Sequence, residues 1–167
     1  MLTVESRVTV TGLTGREITD FLLDPCDDRY RAWWPGTHVE LHPTRPGPRD
    51  DHVGDLLLMD EYIGSRRVRA DVEVVEAVPG ERVVWQIHRW GRRLPVRLAL
   101  TLQTHQGDVR LQHTITAGWS GRARVADPLW RLYFSRSFAR AMDRHVHTEF
   151  ALLRDLLHRE RRDAGGP

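Results

Sequence analysis

The stretch from Asp127 to about Arg162 constrains this chain more than any other. Asp127 followed by Pro128 is a helix start, with an acceptor for a free amide and a first-turn residue that needs no donor. No Pro or Gly follows until Gly165. The spacing predicts one helix of roughly 35 residues, about 50 Å long at 1.5 Å per residue. One face collects Phe134, Phe138, Met142, Val146, Phe150, Leu153, Leu156 and Leu157; the other collects Arg136, Arg140, Asp143, Arg144, His147, Arg154 and His158. Such a helix must lay its apolar stripe on a large partner surface. Arg131, His145 and Glu149 are the polar residues that interrupt the apolar face. His145 and Glu149 stand at i and i+4, so their side chains can meet.

The partner surface comes from alternating segments. Leu2 to Val10 alternates as a half-buried antiparallel strand. Thr14 and Glu17 have capping-box spacing, and Ile18, Phe21 and Leu22 give a short helix its apolar side. Asp27 to Ala32 fits a second short helix, ended by Trp33, Trp34, Pro35 and Gly36. His38 to His42 reads as a strand with Val39 and Leu41 towards the core and His38, Glu40 and His42 towards solvent. Gly54 to Ile63 is apolar enough for a strand, but its alternation leaves the side taken by Glu61 open. Further alternation carries Val68 to Val74, Val83 to Ile87, Val96 to Leu102 and Val109 to Trp119, joined by turns at Gly64, Pro79-Gly80, Gly91 and Gly107; Gly118 and Gly121 lead on to the helix. On the last of these strands His113 is the one polar residue of the inward face. The pattern is α+β: a curved antiparallel sheet of about six to seven strands wrapped round a long C-terminal helix, with two short helices after the first strand. A single domain over 1–162 and a disordered tail over 163–167 are expected.

Composition narrows the functions. All 25 basic residues are Arg, yet the formal net charge is only +2 and the basic residues are interspersed with acids, which argues against a nucleic-acid surface. Cys26 stands alone, so neither a disulfide framework nor a paired-cysteine metal site is available. No apolar run is long enough to enter a membrane and no leader pattern is present; a cytoplasmic monomer or homodimer is expected. No phosphate-binding loop or nucleophile elbow occurs, and no cofactor is implied. No metal is expected. The histidines around Glu40 face outwards, His145 and His147 diverge on their helix, and His145 with Glu149 supplies only two ligands.

Trp33-Trp34-Pro35-Gly36, Met59-Asp60-Glu61, the run from Val78 to Trp85 and Asp127-Pro128-Leu129 together resemble the START-like (SRPBCC) superfamily and its helix-grip fold, most of all its bacterial polyketide cyclase/dehydrase and lipid-transport branch. The resemblance covers nearly the whole chain. It implies a cavity between sheet and helix and a hydrophobic small-molecule ligand. His113, Arg131, Trp85, Trp119, Phe138 and Met142 are then candidate ligand contacts, and Trp90 and Trp130 candidate entrance residues. His145 with Glu149 is the candidate acid–base pair of a cyclase or dehydratase; Arg131 would meet an enolate, carboxylate or phosphate. Core packing is the more ordinary role of each tryptophan, His113 is more often a satisfied core histidine, and a buried His145–Glu149 pair can serve only to satisfy its own polar groups. Three readings stay open: a binding domain for a lipid- or polyketide-like molecule, a cyclase/dehydratase, and an interaction module whose interior is filled with side chains.

Overall fold

The computed structural model describes residues 1–119 and 127–165, with side chains from residue 130 onwards in the second segment. The elements are β1 (Leu2–Thr11), α1 (Gly15–Leu23), α2 (Asp27–Trp33), β2 (His38–Arg45), β3 (Leu56–Ile63), β4 (Arg66–Val78), β5 (Arg82–Arg89), β6 (Arg92–His105), β7 (Asp108–Ala117), α3 (Asp127–Tyr133) and α4 (Arg136–Ala164). The seven described strands form one antiparallel curved sheet in the order β1-β7-β6-β5-β4-β3-β2. This is the expected helix-grip arrangement. No described helix is long and apolar enough to cross a membrane.

The alternation read from the sequence sets the inner face. Along β7, Val109, Leu111, His113, Ile115 and Ala117 are buried while Arg110 is exposed. The eight apolar residues assigned to the helix stripe are all buried. The capping box is present: Thr14 Oγ1 accepts from the Glu17 amide, and the Glu17 carboxylate accepts from the Thr14 amide at 2.7 Å.

Two features differ from expectation. The C-terminal helix is not continuous. Ser135 takes extended backbone angles and its hydroxyl accepts from the Phe138 amide at 3.4 Å, so it caps α4 afresh. A serine competes with the helix for backbone donors without the clash of a proline, and the absence of Pro and Gly therefore does not reveal the break. The predicted cap at the Asp127 side chain and the approach through Gly121 lie outside the described side chains and residues. At the other end, Asp163 and Ala164 are helical, not part of a tail, and Gly165 is the C-cap.

The second difference is in β2. His38 pairs with Glu61 and Glu40 with Asp60, so the ladder carries a bulge between His38 and Glu40. An unbroken strand puts residues three apart on opposite faces; the extra residue of a bulge puts His38 and Leu41 on the same one. Both are buried. His38 was expected to face solvent and is corrected to the interior.

Helix α4 is clamped at its C-terminal half. Leu153, Leu156 and Leu157 are buried, His158 Nε2 donates to the Gly12 carbonyl at 2.9 Å, and Arg161 pairs with Glu17. Arg29 of α2 forks onto Glu160 at 3.0 and 2.7 Å, and Trp33 Nε1 donates to the Glu149 carbonyl at 2.7 Å. At the start of α1, Gly15 lies against the β4–β5 turn, where a methyl group would collide with the Gly80 carbonyl oxygen. Backbone cannot yield as a flexible side chain does. Gly15→Ala is expected to cost about 1–3 kcal/mol through overpacking and to lower the thermal midpoint by several degrees in a circular dichroism melt; an unchanged midpoint would show that α1 can slide.

Candidate functional site

Between the inner face of the sheet and the N-terminal half of α4 lies a cavity of about 620 Å³. Leu57, Val72, Leu98, Leu100, Ile115 and Phe138 represent its mostly apolar wall. The expected contacts Trp85, His113, Phe138 and Met142 are on that wall, as are His145 and Glu149. Trp130 reaches it from α3, and its Nε1 is buried without a hydrogen-bond partner among the described residues.

Three expected residues are elsewhere. Arg131 is exposed and outside the wall, because the break at Ser135 separates the phase of α3 from that of α4. Trp119 follows the end of β7, is 37% exposed and does not reach the cavity; the alternation that assigned it inwards stops at Ala117. Trp90 sits at the β5–β6 turn, is 86% exposed and is not among the residues of the cavity wall.

The polar end of the cavity holds more than the predicted pair. His38 from β2, Glu61 from β3, and His145 and Glu149 from α4 bring one nitrogen or oxygen atom each to within 4.8 Å of one another. His38 Nε2 is 3.4 Å from Glu149 Oε1 and 3.8 Å from Glu61 Oε2. His145 Nε2 is 3.8 Å from Glu61 Oε2 and 3.9 Å from Glu149 Oε2. Neither Nε2 makes a hydrogen bond among the described residues. The side chains are 0%, 4%, 11% and 12% exposed for His38, His145, Glu61 and Glu149. The two-ligand count that argues against a metal is corrected here to four donor residues. Glu40 and His42 take no part: Glu40 lies 3.4 Å from Arg69, and His42 Nδ1 is 2.9 Å from Asp27 Oδ1.

Three of the four donor residues are braced. The His38 ring stacks on Tyr30 at 4.0 Å and meets the Trp33 edge at 4.6 Å. His38 Nδ1 is 3.3 Å from the Tyr30 carbonyl. A carbonyl only accepts, so Nδ1 carries the proton and Nε2 is left facing the carboxylates. The Tyr30 hydroxyl donates to Glu61 Oε2 at 2.7 Å. Trp34 lies 4.8 Å from the His145 ring. On the outer face of β3, the fully buried Asp60 is held by a fork from Arg67 at 2.8 and 2.7 Å. Successive acidic residues are thus buried on opposite faces, which is why the apolar pattern of this strand does not assign Glu61.

The electrostatics keep charge at this end. Burial works against ionising Glu61, but His145, His38 and the Tyr30 hydroxyl outweigh it and hold the carboxyl below its usual range. Burial likewise opposes a charged His145, and the two carboxylates outweigh it and raise its pKa; at 3.8–3.9 Å this is charge attraction rather than hydrogen bonding. Burial lowers His113, against a weaker pull from Glu149 and Glu61. Tyr30 is raised well above its ordinary value by burial and by Glu61, which keeps it a neutral donor. Tyr30→Phe removes that donor from a buried carboxylate. It is expected to cost about 1.5–3 kcal/mol, read as a lower urea midpoint at unchanged slope; a loss below about 0.5 kcal/mol would show that Glu61 does not depend on Tyr30.

No protein-family model matches the chain, and no curated protein matches it. Solved structures do. The TTHA0849 protein of Thermus thermophilus superposes with a TM-score of 0.62 at 9% identity, covering 95% of this chain and 99% of that one. The major latex-like protein 151 of Panax ginseng gives 0.52 at 15% identity, covering 87% and 98%. The di-domain ARO/CYC BexL from the BE-7585A biosynthetic pathway gives 0.56 at 17% identity, covering 92% of this chain and 50% of that one. The likeness is one of fold: it is the helix-grip fold that the resemblance to the START-like (SRPBCC) superfamily implies.

Proposed function

We propose that this protein binds a hydrophobic small molecule, lipid- or polyketide-like, that carries one polar group. The observation that supports this reading is the cavity with its asymmetric wall. Its volume falls within the range of about 300–1,000 Å³ typical of small-molecule sites. Its apolar surface is broad, and Glu61, His145 and Glu149 cluster together on it, with Arg67, Arg69 and Arg89 also on the wall. Apolar burial of about 300 Å² of ligand surface gains on the order of 7 kcal/mol before association costs, and the polar end fixes orientation. An interior packed solid with side chains, as an interaction module would have, does not agree with a cavity of this size.

The test is direct titration with a fluorescent fatty acid and with 1-anilinonaphthalene-8-sulfonate, alongside native mass spectrometry of the purified protein for a co-purified apolar molecule. Saturable one-to-one binding is expected. Leu98→Trp, which adds bulk on the cavity wall, is expected to weaken it about tenfold or more with little change in the melting midpoint. Failure of every probe to saturate, or indifference to Leu98→Trp, overturns the reading.

A second reading is conversion of the bound molecule by a cyclase or dehydratase working through His145 and Glu149. What favours it is the placement of both side chains on the cavity wall beside Glu61, together with the shared fold of the ARO/CYC protein. Incubation with a poly-β-carbonyl thioester checks it. Product formation abolished by Glu149→Gln supports it; product formation untouched by that substitution sinks it.

A further inference from the structure

We infer that His38, Glu61, His145 and Glu149 form a binding site for one divalent first-row transition-metal ion at the polar end of the cavity. The inference does not depend on the identity of the hydrophobic ligand. It starts from unmatched donors. Two buried imidazole nitrogens, His38 Nε2 and His145 Nε2, have no hydrogen-bond partner among the described residues, although carboxylate oxygens lie 3.4–3.9 Å away. Buried polar atoms are rarely left so. His38 Nδ1 donates to the Tyr30 carbonyl, so Nε2 is the ring nitrogen turned towards Glu149 Oε1, at 3.4 Å. A metal ion between them gives both atoms a partner.

Spacing and charge agree. Ligand atoms about 2.0–2.1 Å from a tetrahedral ion stand about 3.4 Å from one another. The four nearest nitrogen–oxygen separations are 3.4, 3.8, 3.8 and 3.9 Å and all four ligand atoms lie within 4.8 Å of one another, so the cluster closes on an ion by contractions of up to about 1.4 Å. Two carboxylates and two neutral imidazoles neutralise a doubly charged ion, which suits a buried site. Paired imidazoles favour transition ions such as zinc and iron(II) over magnesium or calcium.

The supports are those of a built site. Tyr30 alone orients two ligands, by its carbonyl to His38 and its hydroxyl to Glu61. Partners of this kind fix ring tautomers and carboxylate angles around metals. Trp33 ties the Glu149 backbone to α2. The bulge in β2 turns His38 to this face. Glu61, His145 and Glu149 reach the cavity wall, so an ion held here keeps a side towards the bound molecule and offers Lewis-acid contact to its polar group. With the ion in place, His145 and Glu149 act as ligands instead of a proton-transfer pair.

The experiment uses the full chain, stripped with a chelator and dialysed. Zinc, manganese, cobalt and anaerobic iron(II) are titrated separately by calorimetry, and bound metal is counted by elemental mass spectrometry. One ion per chain is expected, with a melting midpoint that rises with metal concentration. Glu149→Gln and His38→Phe are each expected to weaken binding at least about tenfold, and the pair Glu61→Gln with Glu149→Gln to abolish it. His42→Ala, at the half-buried His42–Asp27 contact outside the cluster, is the control for adventitious binding and leaves the stoichiometry at one. X-ray absorption of the wild-type zinc complex gives a readout independent of variant folding, and two imidazoles in the first shell are expected. Absence of one-to-one binding by all four metals overturns the inference. So does binding that survives the double substitution, binding lost in His42→Ala, or a shell without imidazole. Fatty-acid probe binding is measured on the same chelator-treated protein. Probe binding without metal binding overturns the metal site alone; metal binding without probe binding overturns the ligand reading alone.

Discussion

The structure depends on a helix fixed at one end and spaced from the sheet at the other. In the C-terminal half of α4, Leu153, Leu156 and Leu157 pack into the core, and His158 and Arg161 tie the last turns to Gly12 and Glu17. Towards its N-terminus the same helix turns Phe138, Met142, His145 and Glu149 to the cavity. Helix α2 acts as the spacer: Arg29 grips Glu160 beyond the cavity, and Trp33 grips the Glu149 carbonyl at its edge. The curvature of the sheet is thus matched to a helix that touches it fully along only part of its length, and the remaining gap is the cavity. Everything the site does follows from α2 and α4 being held as one unit.

The fold was legible because it is written in periods. Alternation assigns one face of β1, β4, β6 and β7, and the helical repeat assigns the buried stripe of α4, residue by residue. What escaped were the places where a period is interrupted without a conspicuous residue. Ser135 restarts a helix by a hydroxyl contact that any exposed serine in a helix could in principle make, and Arg131 changes face as a result. The bulge at His38–Glu40 depends on pairing with β3, which is not local information. Asp60 is buried because of Arg67, and that partner is supplied by the next strand. Half of the polar cluster was legible, namely the i, i+4 pair on α4. The half contributed by the sheet was hidden behind one irregular strand and one strand whose alternation is blurred by a buried ion pair.

The comparisons fit this division. Proteins sharing 9–17% identity superpose over nearly the whole of this chain, while no family model matches it. Periodicity, turns and caps can be met by many residues, and so the fold survives wholesale substitution. A cluster that depends on Tyr30, His38, Glu61, His145 and Glu149 in one arrangement has no such latitude. Likeness of fold alone says nothing about those few positions.

The strand order carries a consequence for how the chain is made. β1 and β2 succeed one another in sequence yet occupy opposite edges of the sheet, with α1 and α2 crossing between them. Among the described strands, β1 pairs with β7 alone, the last of them to be synthesised. During translation the β2-to-β7 meander can zip hairpin by hairpin as it emerges, whereas the first strand made must wait, apolar face uncovered, until the last one arrives. Closure of the sheet is therefore a late, long-range event, and the ribosome has to release nearly the entire domain before its N-terminus finds shelter.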